Sequence, residues 1–331
     1  MNNTAIISGI TGQDGQYLCK NLMASGQNVV GISSGLNKPK LENFEKKFPN
    51  VKLIQSSLSD VSEVVDILRT VKPSHFYNLG ALSSVKESFR YPEDTYEINY
   101  HRVKRIIQAI KESGIREKLN FYQASSSEMF GSHSTERISE NSNLNPQSPY
   151  AESKALAHQY CINTRKSDGL SITCGILFNH ESPLRGENFL SRKVLSSIVK
   201  IQKGVLKKIR LGDLSPVRDW GYAPDYVQAM QQMCELESKD DFVVATGIGR
   251  SVEDFVETAF RVAGIESNFK QYLDVDEAEL RPRELSSTVG DPSKAKSQLG
   301  WEASTSFEKM IQIIYLHELD EFNKTTQGAL S

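Results

Sequence analysis

A tyrosine followed four residues later by a lysine puts a phenol and an ammonium on one face of a helix. The chain holds two such pairs, Tyr100/Lys104 and Tyr150/Lys154. Tyr100/Lys104 lies within an ordinary amphipathic pattern (Val103, Ile106, Ile107, Ile110) and reads as structural. Tyr150 follows Pro149, a residue favoured where a helix begins. Upstream, Ala124-Ser125-Ser126-Ser127-Glu128 sets hydroxyls and a carboxylate at the end of an apolar run. A free phenol titrates near ~10, and a cationic Lys154 beside Tyr150 is expected to lower that value. Tyr150 then serves as base toward a substrate hydroxyl held by Ser126 while hydride leaves for a nicotinamide. Reversible alcohol oxidation needs no more than these three. Glu128 suits a further proton transfer, such as removal of a proton α to a new ketone; its alternative role is capping or pairing at a strand end.

A nicotinamide dinucleotide needs a phosphate cradle, and the N-terminal segment supplies one. The first apolar run leads into Gly9-Ile10-Thr11-Gly12-Gln13-Asp14-Gly15, followed by a helical pattern with Tyr17, Leu18 and Leu22 inward. Gly9 permits a tight turn, Gly12 lets backbone N–H groups approach a pyrophosphate, and Gly15 allows close helix–strand contact. The helix N-terminus adds partial positive charge. After the second strand an acidic residue would bind a ribose diol and an arginine a 2′-phosphate. Here the chain reads Ser33-Ser34-Gly35 with Lys38 and Lys40 following. Hydroxyls and a nearby lysine favour NADP, without excluding NAD.

The elements that position these groups follow a simple rhythm. Ala5–Ser8, Val29–Ser33, Leu53–Gln55, Phe76–Leu79, Leu119–Gln123 and Ile172–Leu177 read as short buried strands, with helical patterns between them. Such alternation implies βαβ units and a parallel sheet covered on both faces: an α/β, doubly wound fold. Beyond residue 178 the rhythm changes. Asn179 to Asn188 is expected to be a long loop. Helices are expected over Ser191–Gly204, Asp225–Leu236, Val252–Ala263, Pro292–Leu299 and Ser306–Phe322, with strands at Lys208–Leu211 and Phe242–Ala245. These form a smaller, discontinuous α/β C-terminal lobe. The expected division is 1–175, completed by about 221–248, for the dinucleotide half; 176–220 and 249–322 for the substrate lobe; and 323–331 as a frayed tail.

Composition narrows the class. A chain of 331 residues corresponds to roughly two domains. Its 39 basic and 41 acidic residues leave a net charge of −2, so no broad positive field exists to hold a nucleic acid. No apolar run approaches a membrane span. The N-terminus lacks a basic, cleavable leader, which makes a cytoplasmic location the expectation. Cys19, Cys161, Cys174 and Cys234 form no CxxC pair, and the histidines show no ligand spacing, so no metal is expected.

Gly9-Ile-Thr-Gly-Gln-Asp-Gly15, Asn78-Leu-Gly-Ala81, Tyr122-Gln-Ala-Ser-Ser-Ser-Glu128 and Tyr150-x-x-x-Lys154 resemble the extended short-chain dehydrogenase/reductases, which have a Rossmann-type sheet. Gly175-Ile-Leu-Phe-Asn-His-Glu-Ser-Pro183, Arg218-Asp-Trp-Gly221, Arg281-Pro-Arg-Glu284 and Gly290-Asp-Pro-Ser-Lys294 sharpen this to a resemblance to the GDP-mannose 4,6-dehydratases, from residue 4 to about 320. The resemblance implies an internal redox cycle: oxidation at C4 of the sugar, removal of the C5 proton by Glu128, loss of water from C6, and return of the hydride to C6. It places Ser57 and Leu58 near the adenine. Leu79, Gly80, Ala81, Ser83, Lys154, His180 and Arg185 fall on cofactor positions. Ser84 lies beside the sugar, and Asn179, Lys193, Arg218, Arg281 and Glu284 fall on nucleotide-sugar positions. It also implies a homodimer or homotetramer.

This chain departs from the family at several places. Ser33-Ser34 replaces paired arginines, Ser57 an aspartate, Leu82 and Ser84 a polar pair beside the sugar, and Leu184 an arginine; Ser126 keeps a hydroxyl where threonine is usual. These changes leave room for another GDP-sugar, such as a GDP-heptose. A GDP-sugar 4-reductase or epimerase would keep Tyr150 and Lys154 without needing Glu128. A non-catalytic nucleotide-sensing protein would need none of the four.

Overall fold

The computed structural model describes residues 3–132, 137–265, 268–276 and 285–328. In chain order its strands are β1 (Thr4–Ser8), β2 (Asn28–Ser33), β3 (Lys52–Gln55), β4 (His75–Asn78), β5 (Asn120–Ser126), β6 (Ile172–Leu177), β7 (Asn179–Glu181), β8 (Ile209–Leu211), β9 (Val217–Tyr222), β10 (Asp241–Val244), β11 (Gly249–Ser251), β12 (Leu273–Val275) and β13 (Ser287–Thr288). Seven of them form one parallel sheet in the order β10-β6-β5-β4-β1-β2-β3. Every residue of β1, β6 and β10 is buried, as strands covered on both faces require.

The two faces of this sheet carry separate cores. Ala5, Ile7, Tyr77, Tyr122 and Leu177 pack against the helices Gln13–Ala24 and Ala223–Glu235. Ile6, Phe76, Phe121, Ile172 and Cys174 pack against the helices Val61–Val71, Arg102–Ser113 and Pro149–Asp168. Odd and even neighbours divide between the faces because strand side chains alternate. The long helix begins sharply: the Ser148 hydroxyl accepts from Ala151 N–H at 3.1 Å, Pro149 fills the first turn, and Gly169 closes it at φ 66°.

A third core joins the helices Leu190–Gln202, Val252–Val262 and Phe307–Gly328 around Trp220, Phe255 and Ile314. Its sheet centres on β9, which pairs with β7, β11 and β13; β8 pairs with β12. Here the structure departs from expectation. Asn179–Glu181 is a strand rather than the start of a loop, because β9 supplies its backbone partners. The last helix runs on to Gly328 instead of stopping at Phe322. Leu58, at φ 58°, buries its side chain with Val64 and Leu68, so any contact to a cofactor must come from its backbone. No helix among the described residues is long and apolar enough to cross a membrane.

Gly175 lets β6 lie flat beside the fully buried Tyr122 ring: a Cβ there would come within 2.1 Å of the phenol oxygen. Gly175→Ala is expected to cost about 2–3 kcal/mol by overpacking, read as a lowered urea midpoint with the m-value unchanged.

Candidate active site

The glycine loop leaves the C-terminal edge of the sheet between β1 and β4, and two of its glycines are sterically required. Gly9 has φ 70°, and a Cβ on it would meet Gly80 backbone at 2.7 Å; a Cβ on Gly15 would meet the Gly9 carbonyl at 2.5 Å. No side chain caps Gly12, so the first-turn N–H groups of the following helix are left for an anion. That turn also contains Asp14, whose charge would oppose a phosphate. His180 Nε2 meets the Asp14 carboxylate at 2.9 Å, while its Nδ1 faces the Phe178 carbonyl at 2.7 Å and so must donate. Burial raises the Asp14 pKa, but the charge and hydrogen bonds of His180 outweigh it and hold the acid below its ordinary range. Burial likewise disfavours the imidazolium, and Asp14 reverses this, raising His180. The result is a neutralised ion pair with 19% of the acid and 9% of the imidazole side chain exposed. Gln13 extends the fastening, donating to the His180 carbonyl at 3.1 Å and accepting from the Ser182 hydroxyl at 2.8 Å.

Beneath the loop a buried polar chain links three strands. Ser8 Oγ donates to Asn78 Oδ1 (2.7 Å), Asn78 Nδ2 to Gln123 Oε1 (2.9 Å), and Gln123 Nε2 to the Ala124 carbonyl (3.0 Å). Lys154 Nζ donates to that same carbonyl at 2.9 Å. Tyr150 hydrogen-bonds Ser126, whose Oγ accepts from Glu128 N–H at 3.3 Å. The electrostatics differ from the sequence expectation. Burial raises the Tyr150 phenol and the Glu128 carboxylate adds to the rise; the Ser126 bond and Arg185 oppose it. Lys154 does not reverse this, because its ammonium is engaged by Ala124 and lies 5.9 Å from the Tyr150 ring centre. Burial also depresses Lys154, to about 8.

Ser126, Glu128, Tyr150 and Lys154 all line one open cleft at the sheet edge. Asp14, Leu79, Ala81, Ser83, Ser84, Asn179, His180, Arg185, Lys193 and Arg218 line it too. Arg218, which its residue type alone would place on the surface, is 5% exposed and donates to the Val217 and Leu285 carbonyls at 2.8 Å. Arg185 stacks 3.8 Å over Phe189. Gly9, Thr11, Gly12, Gln13, Gly15 and Gly80 build the adjoining turn. Ser33, Ser57 and Leu58 lie at the β2–β3 end and do not line the cleft. Ser33 Oγ accepts from Gly35 N–H at 3.3 Å, and the Ser57 residue is exposed. Arg281 and Glu284 fall outside the described residues. Tyr100/Lys104 stays outside the cleft, the ammonium 5.5 Å over the ring.

Asn99 was not singled out from the sequence. It sits in a π-helical turn, Glu97–His101, and clamps the loop bearing Ala81–Ser84: its amide accepts from Leu82 N–H (2.9 Å), and donates to the Leu82 carbonyl (3.0 Å) and to Ser153 Oγ (3.2 Å). Only the tertiary fold brings these positions together. Trp220, Phe189 and Val252 add apolar lining that no motif spacing marks.

Residues 6–314 match the family model for GDP-mannose 4,6 dehydratase. GDP-mannose 4,6 dehydratase 2 of Arabidopsis thaliana is 40% identical over 326 residues, 96% of this chain and 87% of that protein. The Homo sapiens GDP-mannose 4,6 dehydratase is 38% identical over 350 residues, 99% of this chain and 94% of that protein. Among solved structures, the Thermus thermophilus UDP-glucose 4-epimerase in complex with NAD superposes with a TM-score of 0.83 at 24% identity, covering 95% of this chain and 98% of that one. RMD from Pseudomonas aeruginosa complexed with NADPH gives 0.81 at 19% identity, covering 96% and 99%. At these identities the structural likenesses speak to fold.

The Asp14–His180 pair gives stability a defined pH dependence. A folded-state pKa raised above 6.5 means that the native state holds the His180 proton more tightly than the unfolded chain does. That contribution is complete below about 6.5 and is lost as pH rises through the raised value. Asp14, held below 3.8, contributes above 3.8 and loses it as pH falls through the lowered value. Asp14→Asn is expected to lower the urea midpoint most between these two ordinary values, and to flatten the decline of stability above pH 6.5. A midpoint–pH series on both proteins reads this directly.

Proposed function

The chain belongs to the GDP-mannose 4,6-dehydratase family, and from that premise we propose that it converts GDP-D-mannose to GDP-4-keto-6-deoxy-D-mannose. It is a GDP-sugar 4,6-dehydratase, a hydro-lyase. The observation that carries the finer reading is the convergence of Ser126, Glu128, Tyr150 and Lys154 on one cleft that also holds Arg218 and Lys193. A hydroxyl-holding serine, a phenol and a carboxylate are the groups needed to oxidise C4 and eliminate water across C5 and C6. Arg218 and Lys193 offer the cationic contacts a diphosphate requires.

The loop fits a nicotinamide dinucleotide, since Cβ atoms on Gly9 or Gly15 would close it and the first helix turn is uncapped. When bound, the nicotinamide would supply a hydride acceptor in its oxidised form, whose positive charge favours the phenolate, and a hydride donor in its reduced form. The rest falls to this chain's own residues. Ser126 holds the C4 hydroxyl, and Tyr150 takes its proton. Glu128 then takes the C5 proton, made acidic by the new ketone, and delivers it to the C6 hydroxyl, which departs as water and leaves a C5–C6 double bond. Lys154, fixed by Ala124, keeps a cation under the site at neutral pH.

We assign NADP as the cofactor. No carboxylate follows β2 to repel a 2′-phosphate. The next helix, Lys38–Lys47, begins with Lys38 and Lys40 near the Ser33-Ser34 turn in sequence. Cofactor released on denaturing the purified protein is expected to be NADP; recovery of NAD would reverse the assignment.

GDP-mannose deuterated at C4 is expected to yield a product that has lost one water and carries the label at C6, seen by mass spectrometry and NMR. Label in solvent or in free cofactor would point to the reductase or epimerase reading, and turnover of a GDP-heptose alone would move the substrate. Glu128→Gln is expected to slow elimination by about 10²-fold or more while leaving C4 oxidation measurable. Equal loss of both steps in a folded variant would remove the role given to Glu128.

A further inference from the structure

We infer that His158 is a positioning residue for this reaction: through Ser125 it fixes the strand end that presents Ser126 and Glu128 to the cleft. The inference rests on the functional reading of those two residues. Tyr150, Lys154 and His158 recur every four positions along the helix Pro149–Asp168 and so share one face. Each makes a bond to the end of β5. Tyr150 bonds Ser126, Lys154 donates to the Ala124 carbonyl at 2.9 Å, and His158 Nδ1 meets Ser125 Oγ at 2.9 Å. Three consecutive residues of β5 are thereby held by three turns of one helix.

The imidazole is confined. It is 4% exposed, and one of its ring nitrogens lies within 4.8 Å of the Cys174 sulfur of β6. Cys174 in turn pairs with Gln123 of β5 on one side and Asp241 of β10 on the other. Asp241 takes two 2.9 Å bonds from Arg165, which belongs to the same helix as His158. The ligand atoms of His158, Cys174 and Asp241 lie within 4.8 Å of one another, but the guanidinium already engages both Asp241 oxygens and balances the charge that a metal ion would. The cluster is an internal brace.

A hydrogen-bonded pair at 3–4% exposure gains little net stability over apolar groups of the same shape. Its distinct effect is directional. Ser125 precedes Ser126, and Ser126 Oγ accepts from Glu128 N–H, so a shift at 125 passes to both reacting groups. Misplacement of such groups by about 1 Å can cost about 10²-fold in rate.

Three single variants and one double variant test this. His158→Phe keeps a buried ring but loses the bond, Ser125→Ala removes the partner, and His158→Asn offers an amide near the Nδ1 position. Hydrogen–deuterium exchange is expected to quicken over residues 123–130 in His158→Phe and Ser125→Ala. It should go no further in the double variant and return toward wild type in His158→Asn. The unfolding midpoint is expected to fall in each single variant, where a buried polar group loses its partner, and to recover in the double variant, where both are gone. In turnover of GDP-mannose, the first two variants are expected to lose roughly 10-fold or more in kcat at unchanged KM, non-additively, with Asn restoring most of it. Unchanged exchange over 123–130, loss of protection spread through the whole sheet, or a raised KM at constant kcat would overturn the inference. If the wild type forms no dehydrated product, the functional reading fails, and the exchange measurements still decide whether His158 sets the strand end.

Discussion

The cleft depends on the partly buried contact between Asp14 and His180, residues 166 positions apart. Asp14 belongs to the helix that follows the glycine loop; His180 lies on β7, at the point where the chain leaves the seven-stranded sheet. Phe178 marks that crossing. Its N–H donates to the Val244 carbonyl of β10 at 3.1 Å, and its carbonyl accepts the His180 Nδ1 proton. One residue later the chain joins β9, the strand that carries Arg218. This ion pair, with the Gln13 bonds beside it, thus ties the turn after the glycine loop to the sheet that bears Arg218. The same pair neutralises an acid that stands in the first turn of that helix, where the backbone N–H groups point.

The remaining geometry follows from parallel-sheet topology. All seven strands point the same way, so the segments that follow β1, β4, β5 and β6 emerge along one edge. Those segments are the glycine loop, the Leu79–Ser84 loop, the Ser126–Glu128 turn and the Asn179–Arg185 segment, and each lines or adjoins the cleft. The close approach of Gly9 and Gly80 shows how tightly the edge is packed: one methyl group on Gly9 would separate β1 from the β4 loop.

Those parts of the architecture that are buried on both sides were legible in the sequence. β1, β2, β6 and β10 declare themselves as apolar runs because both faces are covered. β7 and β9 do not, since Asn179-His-Glu and Val217-Arg-Asp-Trp-Gly-Tyr carry polar groups whose burial depends on partners far along the chain. Asp219, for instance, is wholly buried because Thr246 and Gly247 satisfy its carboxylate. The convergence of Ser126, Glu128, Tyr150 and Lys154 on one cleft was anticipated from types and spacing. The contacts that Asn99 makes to Leu82 and Ser153, and His158 to Ser125, were not, because a lone asparagine or histidine has no spacing to mark it.

The electrostatic expectation failed for the same reason. Helical spacing puts Lys154 beside Tyr150, but spacing says nothing about solvent. Burial penalises the charged form of each group, moving the phenol up from 10.0 and the amine down from 10.5, to about 8. The two shifts leave a neutral phenol and a proton that Lys154 holds weakly. The ammonium, turned toward the Ala124 carbonyl, does not offset the effect of burial on the Tyr150 phenol. What the fold does fix is the lysine's place: it pins the Ala124 carbonyl, from which the Ser125–Glu128 segment is presented.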